Sequence, residues 1–307
     1  MAETPVLLAA WGDTHCGSTE GLMKPRTYQF FDANVKPNPR QRVIWRKFAE
    51  YVDNIKQQRA GKQLVVVITG DLVDGDHHNT HQLVTRKPSE QMALFLDCWD
   101  YFAQEVGFGE GDKVYVIHGT EPTHGLPSVT DMIARDIGAE PSRPPSIVDE
   151  ADDEDPGRMM RARDGWFPWH ELTLDIRGEL VRFTHHPPCS LGRMAHTRGN
   201  PVKNWLRSHQ TQLLARRERL PRFVVWGHVH TAWTETARLD DGTPTGPETT
   251  AIILPAFQGK TEYVYRAIPH ALPTTIGGWW AEFERGRPVR HMLDYAELKL
   301  EGKPVRI

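Results

Sequence analysis

The chain has 307 residues, of which 39% are hydrophobic and 25% are charged, and its formal net charge at neutral pH is −3. This length is sufficient for one large domain or two small ones with a buried core. The ordinary composition excludes a disordered or fibrous chain, and the weak negative charge argues against attraction of the whole chain to nucleic acid or acidic membranes.

The sequence also predicts the compartment. Its three cysteines, Cys16, Cys98 and Cys189, are odd in number and widely spaced, which argues against a disulfide framework and for a reducing environment. The N-terminal segment has an acidic start and lacks the positive region of a signal peptide. Since no stretch approaches the roughly 18 apolar residues of a membrane span, we expect a soluble cytoplasmic protein without a membrane partner.

Strand-like and helix-like patterns alternate along the first 140 residues. Short apolar runs predict buried strands at 6–11, 64–68 and 113–117. Apolar residues at helical spacing predict helices at 40–59, 89–106 and 128–137. This alternation is typical of a parallel sheet with covering helices.

The second half of the sequence has a more mixed pattern. Predicted strands lie at 171–176, 180–184, 223–226, 251–255, 274–283 and 289–295, with a basic helix at 201–220. No repeat or clear linker divides the chain. We therefore predict one domain over 1–307, with loop insertions near 18–38 and 141–163.

Five clusters of polar residues follow strand-like runs. They are Asp13-Thr14-His15, Gly70-Asp71-Leu72-Val73-Asp74, Gly119-Thr120-Glu121 with His124, His185-His186, and Gly227-His228-Val229-His230. Strand ends of one polarity share one rim of an open sheet, so these clusters predict a single ligand site. Carboxylates and imidazoles together suit Mn²⁺, Fe or Zn²⁺ better than Ca²⁺, and two such ions about 3.5–4 Å apart can cleave a phosphate ester.

In this order the clusters resemble the motifs of the calcineurin-like metallophosphoesterase superfamily. That pattern is Asp-x-His, Gly-Asp-x-x-Asp/Glu, Gly-Asn-His, a lone His and Gly-His-x-His, and the match runs from Asp13 to His230. The resemblance implies a four-layer α/β/β/α sandwich, of the α/β (α+β) class. It also implies two divalent metal ions, with Mn²⁺ first and Fe, Zn²⁺ or Mg²⁺ as alternatives.

The resemblance further implies a role for each matching residue. The first ion would be held by Asp13, His15 and His230, the second by His185 and His228, and both by Asp71. His186, adjacent to His185, is the alternative at that position. Asp74 would orient a ligand or a loop.

The third motif departs from the superfamily pattern, because Thr120 stands at the position of the Asn and Glu121 at that of the His. In the interpretation that we favour, Glu121 supplies a metal ligand and His124 is the general acid that protonates the leaving oxygen. In the alternative, Thr120 is structural and His118 or His124 assists.

For the reaction, the resemblance implies in-line attack by a metal-bridging hydroxide, with Asp71 and His124 as catalytic residues. The expected partner is a phosphate-ester substrate, with nucleic acid or a nucleotide among the candidates. A phosphodiesterase or nuclease is slightly favoured, because the predicted basic helix could follow a phosphate backbone. The alternatives are a phosphatase or pyrophosphatase, and a non-catalytic metal-binding scaffold. The sequence leaves the oligomeric state open.

Overall fold

The computed structural model describes residues 3–31, 33–76, 81–120, 127–142, 167–192, 197–239, 246–262, 273–287 and 289–298. Its helices are α1 (Pro39–Arg59), α2 (Pro88–Val106), α3 (Pro127–Asp136) and α4 (Asn200–Ala215). The strands of the first half are β1 (Val6–Trp11), β2 (Tyr28–Gln29), β3 (Asn34–Val35), β4 (Gln63–Ile68) and β5 (Lys113–Val116). Those of the second half are β6 (Glu171–Ile176), β7 (Glu179–Thr184), β8 (Phe223–Trp226), β9 (Trp233–Arg238), β10 (Glu248–Ile253), β11 (Thr275–Phe283) and β12 (Arg290–Glu297).

Ten of these strands form two five-stranded sheets. The first sheet has the order β12-β11-β1-β4-β5, in which β1, β4 and β5 are parallel, β11 is antiparallel to β1, and β12 is antiparallel to β11. The second has the order β6-β7-β8-β10-β9, with β7, β8 and β10 parallel between antiparallel edge strands. Each sheet thus contains three adjacent parallel strands, whose carboxyl ends lie at the same edge of the sheet.

The two sheets pack face to face between layers of helices. Alternate residues of β1 show this division, because Leu7, Ala9 and Trp11 belong to the cluster that includes α1 and α2. Their neighbours Val6, Leu8 and Ala10 belong instead to the cluster between the sheets. Helix α4 packs on the outer face of the second sheet. The predicted four-layer α/β/β/α sandwich is confirmed.

Local sequence signals explain the ends of the long helices. Helix α1 starts with a capping box, in which Asn38 and Gln41 bond to each other's backbone N–H groups. Helix α2 ends at Gly107, which adopts the left-handed conformation that favours glycine. Among the helices in the described ranges, none is both long enough and apolar enough to cross a bilayer.

The structure differs from the predicted elements in several places, and β10 begins three residues before the predicted strand 251–255. Helix α4 ends at Ala215, short of the predicted 220. Strand β9 was missed, because its sequence WTETAR is largely polar and it gains order by pairing with β10 at the sheet edge. The predicted loop 18–38 contains the short ribbon of β2 and β3. The insertion predicted near 141–163 lies mostly outside the described residues.

Candidate metal centre

The loops that follow the central strands are tied to one another through their backbones. The N–H of Asp13 donates to the carbonyl of Gly70 at 2.9 Å, and that of His15 to the carbonyl of Asp71 at 3.0 Å. The N–H of Phe257 donates to the carbonyl of Asp13 at 3.0 Å. These bonds fix the loops after β1, β4 and β10 relative to one another before any ligand is bound.

Backbone strain is concentrated at the same loops. Seven non-glycine residues of the described chain have a positive φ, and five of them are Asp13, His15, Asp71, His228 and His230. A left-handed conformation costs a non-glycine residue about 1–2 kcal/mol. Such strain persists where the surrounding structure enforces it, and it collects at functional sites. The five strained residues are all metal ligands predicted from the sequence.

The first ligand set consists of Asp13, His15 and His230. The Nε2 atoms of His15 and His230 lie 3.3 Å apart, and Nε2 of His230 lies 3.4 Å from Oδ1 of Asp13. Two ligands that each bind one ion at about 2.1 Å in a tetrahedral arrangement are separated by roughly 3.4 Å. The three donor atoms are therefore spaced as neighbouring ligands of a single cation.

The second ligand set consists of His185, His186 and His228, whose ring nitrogens also converge within metal-binding distance of one another. His185 is buried, whereas His186 and His228 are exposed. Nδ1 of His185 donates to the carbonyl of Thr69 at 2.6 Å, which directs its Nε2 toward the other candidate ligands.

Asp71 lies between the two ligand sets. Its Oδ2 is 3.1 Å from Nε2 of His185 and 3.8 Å from Nε2 of His15. Its Oδ1 accepts a hydrogen bond from the backbone N–H of Thr120 at 2.6 Å. Since Asp71 is only 3% exposed, its carboxylate is held facing both sets.

Thr120 occupies the centre of the second ligand set. Its Oγ1 lies 3.1 Å from Nε2 of His185, 3.3 Å from Nε2 of His186 and 3.2 Å from Nδ1 of His228. The sequence offered one signal for this, since Thr120 stands where the resembling motif has Asn. A hydroxyl oxygen therefore lies among the imidazoles at that position.

Buried polar groups support the first ligand set. Nδ1 of His15 donates to Oδ1 of Asp74 at 3.0 Å, and Nε2 of Gln258 donates to the same oxygen at 3.2 Å. Both carboxylate oxygens of Asp13 accept from the N–H of His228 at 3.1 Å. Asp74 lies where an orienting group was expected, whereas Gln258 was missed, because no local pattern after β10 marks it.

The proximity of acids and imidazoles shifts their pKa values. Burial opposes protonation of His185, but the Asp71 and Asp13 carboxylates outweigh it and raise its pKa to about 9. Burial likewise opposes ionisation of Asp13, yet the hydrogen bond from His230 and the charge of His185 leave its pKa lowered. Desolvation, His185 and His186 lower the pKa of His228 to about 4, although part of that side chain is exposed. The neutral His228 ring can ligate at neutral pH.

Two glycines permit the close approach of these loops. A Cβ on Gly119 would lie 2.2 Å from Oδ1 of Asp71, and one on Gly227 would lie 2.7 Å from Oδ2 of Asp13. Larger residues at these positions would displace the carboxylates. The glycines of the third and fifth motifs are therefore required by the geometry of the site.

The structure thus brings together six of the residues singled out in the sequence, namely Asp13, His15, Asp71, His185, His228 and His230. It adds Thr120 and His186 beside them. Glu121 and His124, predicted as a ligand and as the general acid, lie outside the described residues.

Comparison with family models and with curated proteins finds no match. Among solved structures, the chain is similar to an archaeal phosphodiesterase, with a TM-score of 0.36, 11% identity and coverage of 94% of this chain and 99% of that one. It is also similar to Vps29 from Entamoeba histolytica complexed with Zn²⁺, with a TM-score of 0.34, 10% identity and coverage of 95% and 98%. A third is the sulfate thiohydrolase SoxB of Thermus thermophilus, with a TM-score of 0.35, 12% identity and coverage of 84% of this chain and 53% of that one.

The sandwich fold and the arrangement of the candidate ligands agree with the resemblance carried by the sequence motifs. Paired ligand sets of Asp and His follow the strands of a four-layer sandwich in the order of the sequence motifs. In fold and in site, the chain resembles the calcineurin-like metallophosphoesterase superfamily.

Proposed function

We propose that this protein is a hydrolase that cleaves phosphate esters with two divalent metal ions. The observation that carries the proposal is the position of Asp71, one buried carboxylate that faces two adjacent ligand sets. A shared carboxylate between two sets of imidazole and carboxylate donors suits a pair of neighbouring cations.

The donor set fits this role by its chemistry. Nδ1 of His15 and Nδ1 of His185 are both engaged by buried oxygens, which directs their Nε2 atoms toward Asp71. This arrangement fixes the tautomer of a ligating histidine and raises its basicity. Asp13, His15 and His230 would hold one ion and His185 and His228 the other, with Asp71 contacting both. We propose Mn²⁺ first, with Fe, Zn²⁺ or Mg²⁺ as alternatives.

Bound at this centre, two divalent ions would neutralise the charge of the phosphate and lower the pKa of water. The chain's own residues orient and shield the site. Asp74 holds the ring of His15 and is itself bonded by Gln258, and the carboxylates of Asp13 and Asp71 are buried. The exposed His186 and His228 lie where an entering phosphate would meet the protein.

The Thr120 hydroxyl is proposed to fill the role of the Asn in the resembling motif, because it lies among the second ligand set. This differs from the interpretation favoured from the sequence, in which Glu121 supplies that oxygen. The roles of Glu121 as a ligand and His124 as the general acid stay predictions.

A phosphodiester is the substrate that we propose first, and a small ester fits better than a polymer. The positive charge of the basic helix predicted to follow a phosphate backbone is partly neutralised. Lys203 on α4 lies 4.0 Å from Glu235, and Arg219, just beyond α4, pairs with Asp175 at 2.6 Å. Both pairs reduce the charge available to a nucleic acid backbone. The phosphatase or pyrophosphatase and the non-catalytic scaffold are the alternatives that the test below separates.

For the protein as a whole, we propose a single domain and a cytoplasmic location. Both proposals rest on the sequence: no linker divides it, and its cysteine pattern favours a reducing compartment.

The test uses purified protein loaded with Mn²⁺ and two chromogenic substrates, bis(p-nitrophenyl) phosphate and p-nitrophenyl phosphate. We expect turnover of the diester, and its loss in Asp71→Asn. Asp131→Asn is the matched control, because this acid lies on α3 and pairs with Arg135. Turnover of the monoester alone would favour the phosphatase. Metal binding without turnover of either substrate would support the scaffold and overturn the proposal.

A further inference from the structure

A cavity of about 370 Å³ opens beside the second ligand set. Gly119, His185 and His186 line it on the side of the metal centre. Its other walls come from β7, β8 and α4 and from the residues around His118 and His170. A group attached to a phosphate at the metal centre can therefore enter this cavity directly.

Planar side chains dominate the walls away from the metal centre. The rings of His118 and His170 stack with centroids 4.4 Å apart and an interplanar angle of 16°. Trp205 stacks on His209 with centroids 4.6 Å apart and the same angle of 16°, and Trp226 meets Trp205 edge-on. These contacts hold the rings in fixed orientations, so the cavity presents preorganised aromatic surfaces.

The charge of the cavity is compensated by its own residues. Arg182 donates from Nε to Glu171 at 2.6 Å and from Nη1 to Nε2 of His209 at 3.2 Å. Burial and the charge of Arg182 lower the pKa of His209, which accepts this bond as a neutral ring. In the described lining Arg182 is the only Lys or Arg side chain, so no second phosphate finds an uncompensated cation there.

We propose that this cavity binds an uncharged planar group of the substrate, an aryl or nucleoside moiety, while the phosphate lies at the metal centre. The inference rests on the proposed hydrolase function and narrows its substrate to esters with such a group. Stacking on an aromatic side chain contributes roughly 5–150-fold in affinity per base. Trp205 is the anchor, because it offers the largest ring in the cavity that is not fully buried.

The first experiment measures binding without catalysis. Adenosine and phenol are titrated into the full-length protein by saturation-transfer NMR, without metal. We expect Trp205→Leu to weaken adenosine binding about tenfold and Trp205→Phe to restore most of it. Trp45→Leu is the matched control, because Trp45 packs on Phe48 and Tyr101 of the opposite helix layer, and it should leave the affinity unchanged.

The relative affinities for adenosine and phenol indicate which kind of planar group the natural substrate carries. Tighter binding of adenosine than of phenol indicates a nucleoside ester, and the reverse indicates a simple aryl ester. The proposal would be overturned if Trp205→Leu left the affinities for both adenosine and phenol unchanged.

The second experiment uses the Mn²⁺-loaded protein and two esters that differ in the planarity of one ring, methyl phenyl phosphate and methyl cyclohexyl phosphate. In Trp205→Leu we expect KM for the phenyl ester to rise about tenfold, while kcat and the cyclohexyl KM change less than about twofold. Equal loss for both esters would mean a structural role for Trp205 and would overturn the proposal. Adenosine binding by a protein that hydrolyses neither ester would instead refute the hydrolase function and leave the cavity assignment standing.

Discussion

The two ligand sets differ in how firmly the fold holds them. The first joins Asp13 and His15 from the first sheet to His230 from the second, and Asp13 and His15 are 0% and 2% exposed. The second comes from loops of the second sheet alone, and two of its three histidines are exposed. The first candidate set is thus largely enclosed between the sheets, whereas the second faces solvent and the adjoining cavity.

Asp71 is where the two sets meet, so its substitution should have the largest effect. Asp71→Asn removes the shared charge from both sets, and we expect activity to fall by more than about 100-fold, beyond the range for groups that only support a ligand. His124→Ala should lose far less. The test is to measure the hydrolysis rates of both variants at saturating Mn²⁺. Equal residual activities would contradict the assignment of Asp71 as the carboxylate shared by both sets.

Within the second set, the buried and the exposed histidine should behave differently. His185→Ala removes a ring anchored to the Thr69 carbonyl and facing Asp71, and we expect about 100-fold loss of activity with weaker binding of one ion. His186→Ala, at an exposed position, should lose roughly tenfold or less. Mn²⁺ titration by electron paramagnetic resonance gives the number of ions bound. A larger loss of activity in His186→Ala than in His185→Ala would mean that His186, and not His185, is the ligand.

The sequence contains a signal that separates these adjacent histidines. Val181, Phe183 and His185 are all buried, as expected when a strand's alternation continues one residue past its end. His186 falls on the opposite, exposed side. The motifs alone leave open which of the two histidines is the ligand, whereas the period of β7 favours His185.

The strands of the site could be predicted from local sequence, whereas other features depend on contacts between residues distant in sequence. The strands before Asp13, Asp71 and His228 were predictable, because burial on both faces makes them continuously apolar. Gln258 contacts Asp74 across 184 positions, and no local pattern encodes such a pairing. The cavity walls likewise combine Trp205 with His170, which only the packing of α4 on the second sheet brings together.

The first ligand set should be sensitive to its buried support. Asp74→Asn weakens the acceptor that fixes His15, and we expect a 10- to 100-fold loss in affinity for one ion or in activity. Stoichiometry measured against Mn²⁺ concentration should show one weakened and one unchanged ion. Asp97→Asn, which alters a half-buried acid paired with Lys24 and Arg26, serves as the control. A uniform loss at both ions would mean that Asp74 supports the whole site.

The smallest effect is expected at Thr120, where the open second set departs from the resembling motif. Thr120→Val keeps the shape but removes the Oγ1 that lies among the three imidazoles, and we expect about tenfold weaker binding of one ion, the low end for such groups. Thr120→Ser should retain wild-type affinity, and Thr120→Asn should match or exceed it, because Asn is the residue that the resembling motif has at this position. Calorimetric Mn²⁺ titration of the three variants measures this order. Wild-type affinity in Thr120→Val would show that the hydroxyl is structural and would return the missing ligand to Glu121.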